Sequence, residues 1–254
     1  MNFERAYTTY GDPANPTILF VHGIRLGRDI WSWHARELAS RYFVVTVDLP
    51  GHGALENEAF TTANIAALFN HVLRDVCSAA PLIVGYSLGG YAAIEYAQHY
   101  PEHSRGLLLA GCTLDFEGWK RWPYELSTRL SEMLPTPVLE YLLVWGLRLS
   151  LPRTWADLVL AIPFNRNVFG ETTSLAAVSS RFSEKLAGYK KPVLFVNGEY
   201  DLAFRMDERR FLKRIPQARL RLIRHTDHTA PMRRSQEFLT VVREFADRVF
   251  GETA

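Results

Sequence analysis

Ser87 sits in the stretch Gly85-Tyr86-Ser87-Leu88-Gly89-Gly90, directly after the apolar run Leu82-Ile83-Val84 and directly before Tyr91-Ala92-Ala93-Ile94-Glu95-Tyr96-Ala97. The first run suits a buried parallel strand, and the second suits a helix. A chain that passes from strand to helix at a single residue holds that residue in a strained turn. The hydroxyl then projects from the carboxyl end of the sheet, and the flanking glycines let strand and helix approach. The chemistry offered is nucleophilic attack. A serine hydroxyl needs a histidine base, a carboxylate to orient that base, and N–H donors facing the charge that develops on the substrate oxygen.

In a parallel sheet those partners belong at the carboxyl ends of strands. Pro192-Val193-Leu194-Phe195-Val196 reads as a strand and runs into Asn197-Gly198-Glu199-Tyr200-Asp201. Asp201 is the leading candidate for the carboxylate, with Asp115 and Glu199 as rivals. Ala218 to Arg224 reads as the last strand and runs into His225-Thr226-Asp227-His228. A base needs a loop long enough to swing back over the serine, so His228 leads and His225 is its rival. The resulting chain order is Ser, Asp, His. For the oxyanion donors, the N–H of Leu88 lies at a helix start, where negative charge is favoured. The N–H of Ile24, in the loop after His22-Gly23, is the natural second donor. His22 and His52 read as structural.

The elements that position these residues alternate. Strands are expected at Phe3 to Tyr10, Thr17 to Val21, Tyr42 to Val47, Leu82 to Val84 and Gly106 to Ala110. Helices are expected at Asp29 to Ser40 and Thr61 to Val76, and in the run after Ser87, which Pro101 ends. After a region without strand signal, the rhythm resumes with the strand at Val193, a helix near Asp207 to Arg214, the last strand, and a helix over Ser235 to Phe250. This pattern implies a doubly wound α/β fold with a mostly parallel sheet and helices on both faces. The region without strand signal, 115–189, is broken by prolines and rich in large rings, among them Trp119, Trp122, Tyr124, Trp145, Phe164 and Phe169. It reads as a helical lid set into a core formed by 1–114 and 190–254.

With 254 residues, 48% of them hydrophobic, the chain can bury one large core. A net charge of +2 gives no reason to expect nucleic acid as a partner. The arginines crowded between Arg209 and Arg234 read as a solvated face. Cys77 and Cys112 show no metal or redox spacing and suit a reducing compartment. The polar N-terminus and the lack of a long apolar run fit a cytoplasmic protein that does not span a membrane.

Several motifs together resemble the α/β-hydrolase family, in its single-insertion-lid group of esterases and lactonases. They are Val21-His22-Gly23, Asp48-Leu49-Pro50-Gly51-His52-Gly53, Gly85 to Gly90, Asn197 to Asp201, and Asp227-His228. The chain departs from the family at Ala54, where Ser or Thr is common. It departs again at Asp227, where Gly is common and where a further carboxylate now stands beside the base. Ser87 separates the chain from relatives with Asp at the nucleophile position, the dehalogenases and epoxide hydrolases. Ile24-Arg25-Leu26 and Tyr86 fit the carbon–carbon hydrolases poorly, and Tyr91 fits the menaquinone-pathway relatives poorly.

The resemblance implies cleavage of an ester-like acyl bond through an acyl-enzyme, without metal or organic cofactor. The substrate would be a small apolar ester, lactone or thioester. Acyl transfer or perhydrolysis by the same residues is the alternative, and a ligand receptor on this scaffold a remote one. Oligomeric state is left open. Arg25, Tyr86, Trp119, Trp122 and Trp145 are candidates for the substrate walls. Uncharged acyl chains or aromatic esters are the expected preference, with Arg25 the one candidate able to meet an anionic group.

Overall fold

Parallel strands covered by helices on both faces must be apolar on both faces, and the centre of this chain follows that rule. The structure, a computed structural model, describes residues 3–162 and 181–251. Seven strands form one sheet: β1 (Tyr7–Tyr10), β2 (Thr17–Val21), β3 (Phe43–Val47), β4 (Leu82–Tyr86), β5 (Gly106–Ala110), β6 (Val193–Gly198) and β7 (Ala218–Ile223). Their order across the sheet is β1-β3-β2-β4-β5-β6-β7. β1 runs antiparallel to β3, with Tyr7 opposite Val47, and every other pairing is parallel. Every residue of β2, β3, β4 and β5 is buried.

Alternate residues feed opposite layers of the core. Leu19, Val21 and Ile83 pack with α2 (Thr62–Asp75) and α3 (Leu88–His99), whereas Ile18, Phe20 and Val84 pack with α1 (Ser32–Leu38) and the C-terminal helix (Ser235–Gly251). α2 buries Ile65, Leu68, Phe69 and Val72, the stripe expected from their three- and four-residue spacing. The Thr61 hydroxyl caps it by accepting the Asn64 N–H at 3.1 Å.

Between β5 and β6 come α4 (Trp122–Met133), α5 (Thr136–Ser150), α6 (Arg153–Leu160) and the single turn α7 (Phe182–Lys185). After β6 follow α8 (Glu208–Arg214), α9 (Ala230–Arg233) and the C-terminal helix, here α10. The part of the expected lid from 163 to 180, with Phe164 and Phe169, lies outside the described residues. Two boundaries differ from expectation. Phe3–Arg5 is a 3-10 turn and the first strand begins only at Tyr7. The helix expected from Asp29 is a 3-10 turn, Arg28–Trp31, leading into α1. Among the described residues no helix is long and apolar enough to cross a membrane.

Candidate active site

Ser87 stands between the last residue of β4 and the first of α3 with φ 51° and ψ −118°. A serine at a helix N-cap normally folds its hydroxyl back onto the first turn. Here no such side-chain bond forms, so Oγ is not committed to its own helix. The turn requires strand and helix to touch. A Cβ on Gly85 would lie 2.7 Å from the Gly89 carbonyl oxygen, and one on Gly89 would lie 2.5 Å from that of Val21.

The Ser87 Oγ lies 2.9 Å from His228 Nε2, and His228 Nδ1 lies 2.7 Å from Asp201 Oδ2. The carboxylate can only accept, so the proton sits on Nδ1 and Nε2 is left to accept from the serine hydroxyl. Asp201 follows β6 and is buried; His228 lies in the loop between β7 and α9. Phe204 stacks flat on the imidazole with 4.2 Å between ring centres, and Tyr86 tilts against it at 5.3 Å. Phe204 has no motif of its own; its place in the turn just after Asp201 was the available signal.

The rival residues have other partners. Asp115 is fully buried and accepts the Ser183 N–H at 2.9 Å, the Ser183 hydroxyl at 2.6 Å and Arg210 Nη1 at 3.2 Å. Glu199 Oε2 accepts the His225 N–H at 2.9 Å, and the His225 side chain is exposed. Asp227 Oδ1 accepts the Thr229 N–H at 2.9 Å and the Thr229 hydroxyl at 2.5 Å. Burial raises the pKa of Asp227, but the bonds from Thr229 outweigh it and hold the carboxyl below its ordinary value.

The loop carrying Ile24 is held from behind by two buried histidines. The Leu49 N–H donates to His22 Nε2 at 3.0 Å, so His22 Nδ1 carries the proton and donates to the Gly23 carbonyl at 2.7 Å. The Arg25 N–H donates to His52 Nε2 at 3.2 Å, and His52 Nδ1 donates to the Pro50 carbonyl at 3.0 Å. Burial lowers the His22 pKa to about 4. It lowers that of His52 to about 3, with the neighbouring His22 adding to the effect. Both rings are therefore neutral struts. A Cβ on Gly23 would lie 3.2 Å from Ser87 Cβ, so this loop passes right beside the serine. The Leu88 N–H, the other expected donor, opens α3.

A sequence profile of the alpha/beta hydrolase family matches residues 18–241. The chain belongs to this family. Among curated proteins it is 24% identical over 238 residues to a pimeloyl-[acyl-carrier protein] methyl ester esterase of Nitrosomonas europaea, covering 89% of this chain and 93% of that one. Among solved structures it resembles a carboxylesterase structure from the thaumarchaeon Nitrososphaera gargenis. There the TM-score is 0.82 at 18% identity, over 97% of this chain and 95% of the other. MenH from S. aureus gives a TM-score of 0.80 at 21% identity, over 96% and 98%. At these identities the structural likenesses establish the fold.

In this alpha/beta hydrolase a cavity of about 330 Å³ opens beside Ser87 and His228. Gly23, Ile24, Arg25 and Tyr86 line its floor; Tyr124 and Ser127 of α4, Leu143 and Leu147 of α5, and Leu151 and Val159 line the side facing the inserted helices. Arg25 and Tyr86 thus lie where a substrate wall was expected. The three tryptophans do not. Trp119, Trp122 and Trp145 are 71%, 63% and 60% exposed, and none is among the lining residues. The reason is helical period. Leu143 and Leu147, four apart, share a face, and Trp145, two residues from each, points away. Trp122 stands in the same relation to Tyr124. Ring content predicted a wall, but the wall is built of leucines.

Proposed function

We propose that this chain is a serine hydrolase of carboxylic ester-type acyl bonds, with Ser87 as nucleophile, His228 as general base and acid, and Asp201 as the group orienting His228. The observation that carries this reading is the unbroken line from Asp201 Oδ2 through the imidazole to Ser87 Oγ, at 2.7 and 2.9 Å. The esterase relative covering most of the chain supports the reaction class.

The reaction runs in two stages. Ser87 Oγ bonds to the acyl carbon as its proton passes to His228 Nε2, and the carbonyl oxygen becomes an oxyanion. The N–H groups of Ile24 and Leu88 are its donors, and the positive end of α3 adds to their effect. The bond to the leaving oxygen or sulfur breaks as Nε2 returns the proton to it, leaving an acyl-serine. Water then repeats the sequence and frees Ser87. Asp201 stabilises the imidazolium at both stages. The helices α4 to α6 act as a cap: their residues close the apolar side of the cavity, which is matched to the acyl part of a small ester, lactone or thioester.

The test is covalent. A phosphonate ester probe should add one phosphonyl group to the peptide containing Ser87, detected by mass, and should abolish hydrolysis of a chromogenic acyl ester. Modification elsewhere with full loss of activity would overturn the assignment.

A further inference from the structure

The cavity beside Ser87 has two unlike walls. Leu143, Leu147, Leu151 and Val159 offer hydrocarbon alone, whereas α4 offers two hydroxyls, those of Tyr124 and Ser127. These two residues stand three apart in one helix and share a face. Among the described residues neither hydroxyl has a hydrogen-bond partner. The Thr128 hydroxyl, next along the helix, donates at 3.2 Å to the Tyr124 backbone carbonyl and not to the phenol. Thr229, also in the lining, differs: its hydroxyl donates to Asp227 at 2.5 Å. One face of α4 thus keeps two donors for a ligand.

Ring packing fixes where Tyr124 stands. Phe116 meets it edge-on with 4.8 Å between ring centres, and Phe204 does so at 6.4 Å. Phe204 is the ring that stacks on His228, so Tyr124 lies on the imidazole side of the cavity. Burial, with the charge of Asp201 adding to it, raises the Tyr124 pKa to about 12, and the phenol keeps its proton at neutral pH. In the reaction the leaving oxygen takes its proton from His228 Nε2 and must lie against this imidazole. The alcohol part of an ester then falls on the α4 side, and the acyl chain runs along the leucines.

We infer that Tyr124 and Ser127 are specificity residues and that the preferred substrate is an ester of a hydrocarbon acid with an alcohol bearing a second hydroxyl, which bonds to these two side chains. The inference rests on the ester-hydrolase reading. It gives the cavity a direction, with hydrocarbon toward α5 and oxygen toward α4. A substrate hydroxyl donates and accepts at once and can pair with both side chains, whereas a methyl group in its place leaves them unpaired. Selection then falls on the alcohol part as well as on the acyl chain.

Matched ester pairs test this. In the first pair the alcohol chain ends in a hydroxyl or in the isosteric methyl; in the second the same two groups end the acyl chain. The quantity read is the hydroxyl-to-methyl ratio of kcat/KM, compared between native protein and variants so that the intrinsic reactivity of each ester cancels. For the first pair that ratio should fall by about three- to tenfold in Tyr124→Phe, chiefly through KM, and further in Tyr124→Phe with Ser127→Ala. For the second pair it should not move. Tyr124→Phe keeps the ring that Phe116 and Phe204 pack against, so a merely structural role would leave both ratios as they are.

A first-pair ratio that is unchanged in the double variant overturns the inference, as does a shift that appears in the second pair instead. If Tyr124→Phe does not fold, Ser127→Ala alone must lower the first-pair ratio, and an unchanged ratio there overturns the inference equally. Calorimetry on Ser87→Ala gives a readout without turnover. The first-pair preference for the hydroxyl ester over its methyl isostere should shrink when Tyr124→Phe is added to Ser87→Ala, and a preference that stays the same counts against the inference. If the native protein hydrolyses none of the four esters, the ester-hydrolase reading fails, and this binding comparison still decides the role of Tyr124.

Discussion

On the proposed mechanism Ser87→Ala removes the attacking oxygen and nothing that packs, so the expected result is a fall in kcat by about four to six orders of magnitude at unchanged melting temperature. Retention of a tenth of native activity would remove Ser87 from the mechanism. His228→Ala should be comparably damaging, and His225→Ala mild, because His225 is an exposed loop residue whose backbone N–H donates to Glu199 at 2.9 Å while its ring lies 3.8 Å from the same carboxylate. Asp201→Asn presents the wrong partner to His228 Nδ1 and should lower kcat by about 10³ to 10⁴. Ser87, Asp201 and His228 were legible in the sequence because each follows an apolar strand run, and the carboxyl ends of parallel strands converge. Phe204, stacked on His228, was not legible, because ring contacts across a loop leave no periodic trace. Asp115 also follows a strand, which made it a rival to Asp201. Its actual partner, Ser183, lies 68 residues away and is beyond the reach of local pattern.

The helices between β5 and β6 depend on a few charged contacts at their base. Asp115 receives Ser183 and Arg210, Glu117 receives Arg210 at 2.6 Å and pairs with Arg181, and Lys120 pairs with Asp207. Asp115→Asn leaves the buried Ser183 and its neighbour Arg210 short of an acceptor and should cost about 1–3 kcal/mol in urea denaturation. Its kcat should fall far less than that of Asp201→Asn; the reverse order would make Asp115 the orienting acid. The same helices set the size of the cavity. For straight-chain acyl esters kcat/KM should rise by up to about fourfold per methylene, the equivalent of about 0.8 kcal/mol, and fall once the cavity is full. A steady loss from acetyl onward would refute an apolar acyl site. The helical character of the described part of this segment was legible from its prolines and missing strand signal, but its inward face was not. Tryptophan content marked Trp119, Trp122 and Trp145, whereas the structure turns Leu143 and Leu147 toward the cavity. Which stripe of an apolar helix faces inward depends on what it packs against, and α5 is apolar nearly all round.

Across the whole molecule, buried histidines tie stability to pH. His22 and His52 stiffen the loop beside Ser87, and His34 sits among Phe20, Trp31, Trp155 and Phe238. Burial lowers the pKa of His34 to about 3, beside about 4 for His22 and about 3 for His52. In the unfolded chain each titrates near 6.5. Above that value neither state binds the proton and stability is unaffected. Below it the unfolded chain binds protons first, so stability falls with pH from about 6.5 toward about 4, by up to about 1.4 kcal/mol per pH unit for each ring. Urea denaturation at pH 7.5 and 5 should show this loss, and His34→Phe should reduce it by roughly a third; equal slopes in the two proteins would refute the assignment. The doubly wound sheet was the most legible level of all, since seven strands and their covering helices each leave a repeating apolar pattern. The bond between Asp115 and Ser183 carries a last consequence. It brings together the two ends of the segment between β5 and β6, so the path out of the sheet and the path back share one anchor. A segment whose ends meet can be exchanged for another, of different length or sequence, without shifting β5 or β6. The machinery that breaks the bond and the walls that choose the molecule can then evolve, or be engineered, as separate parts.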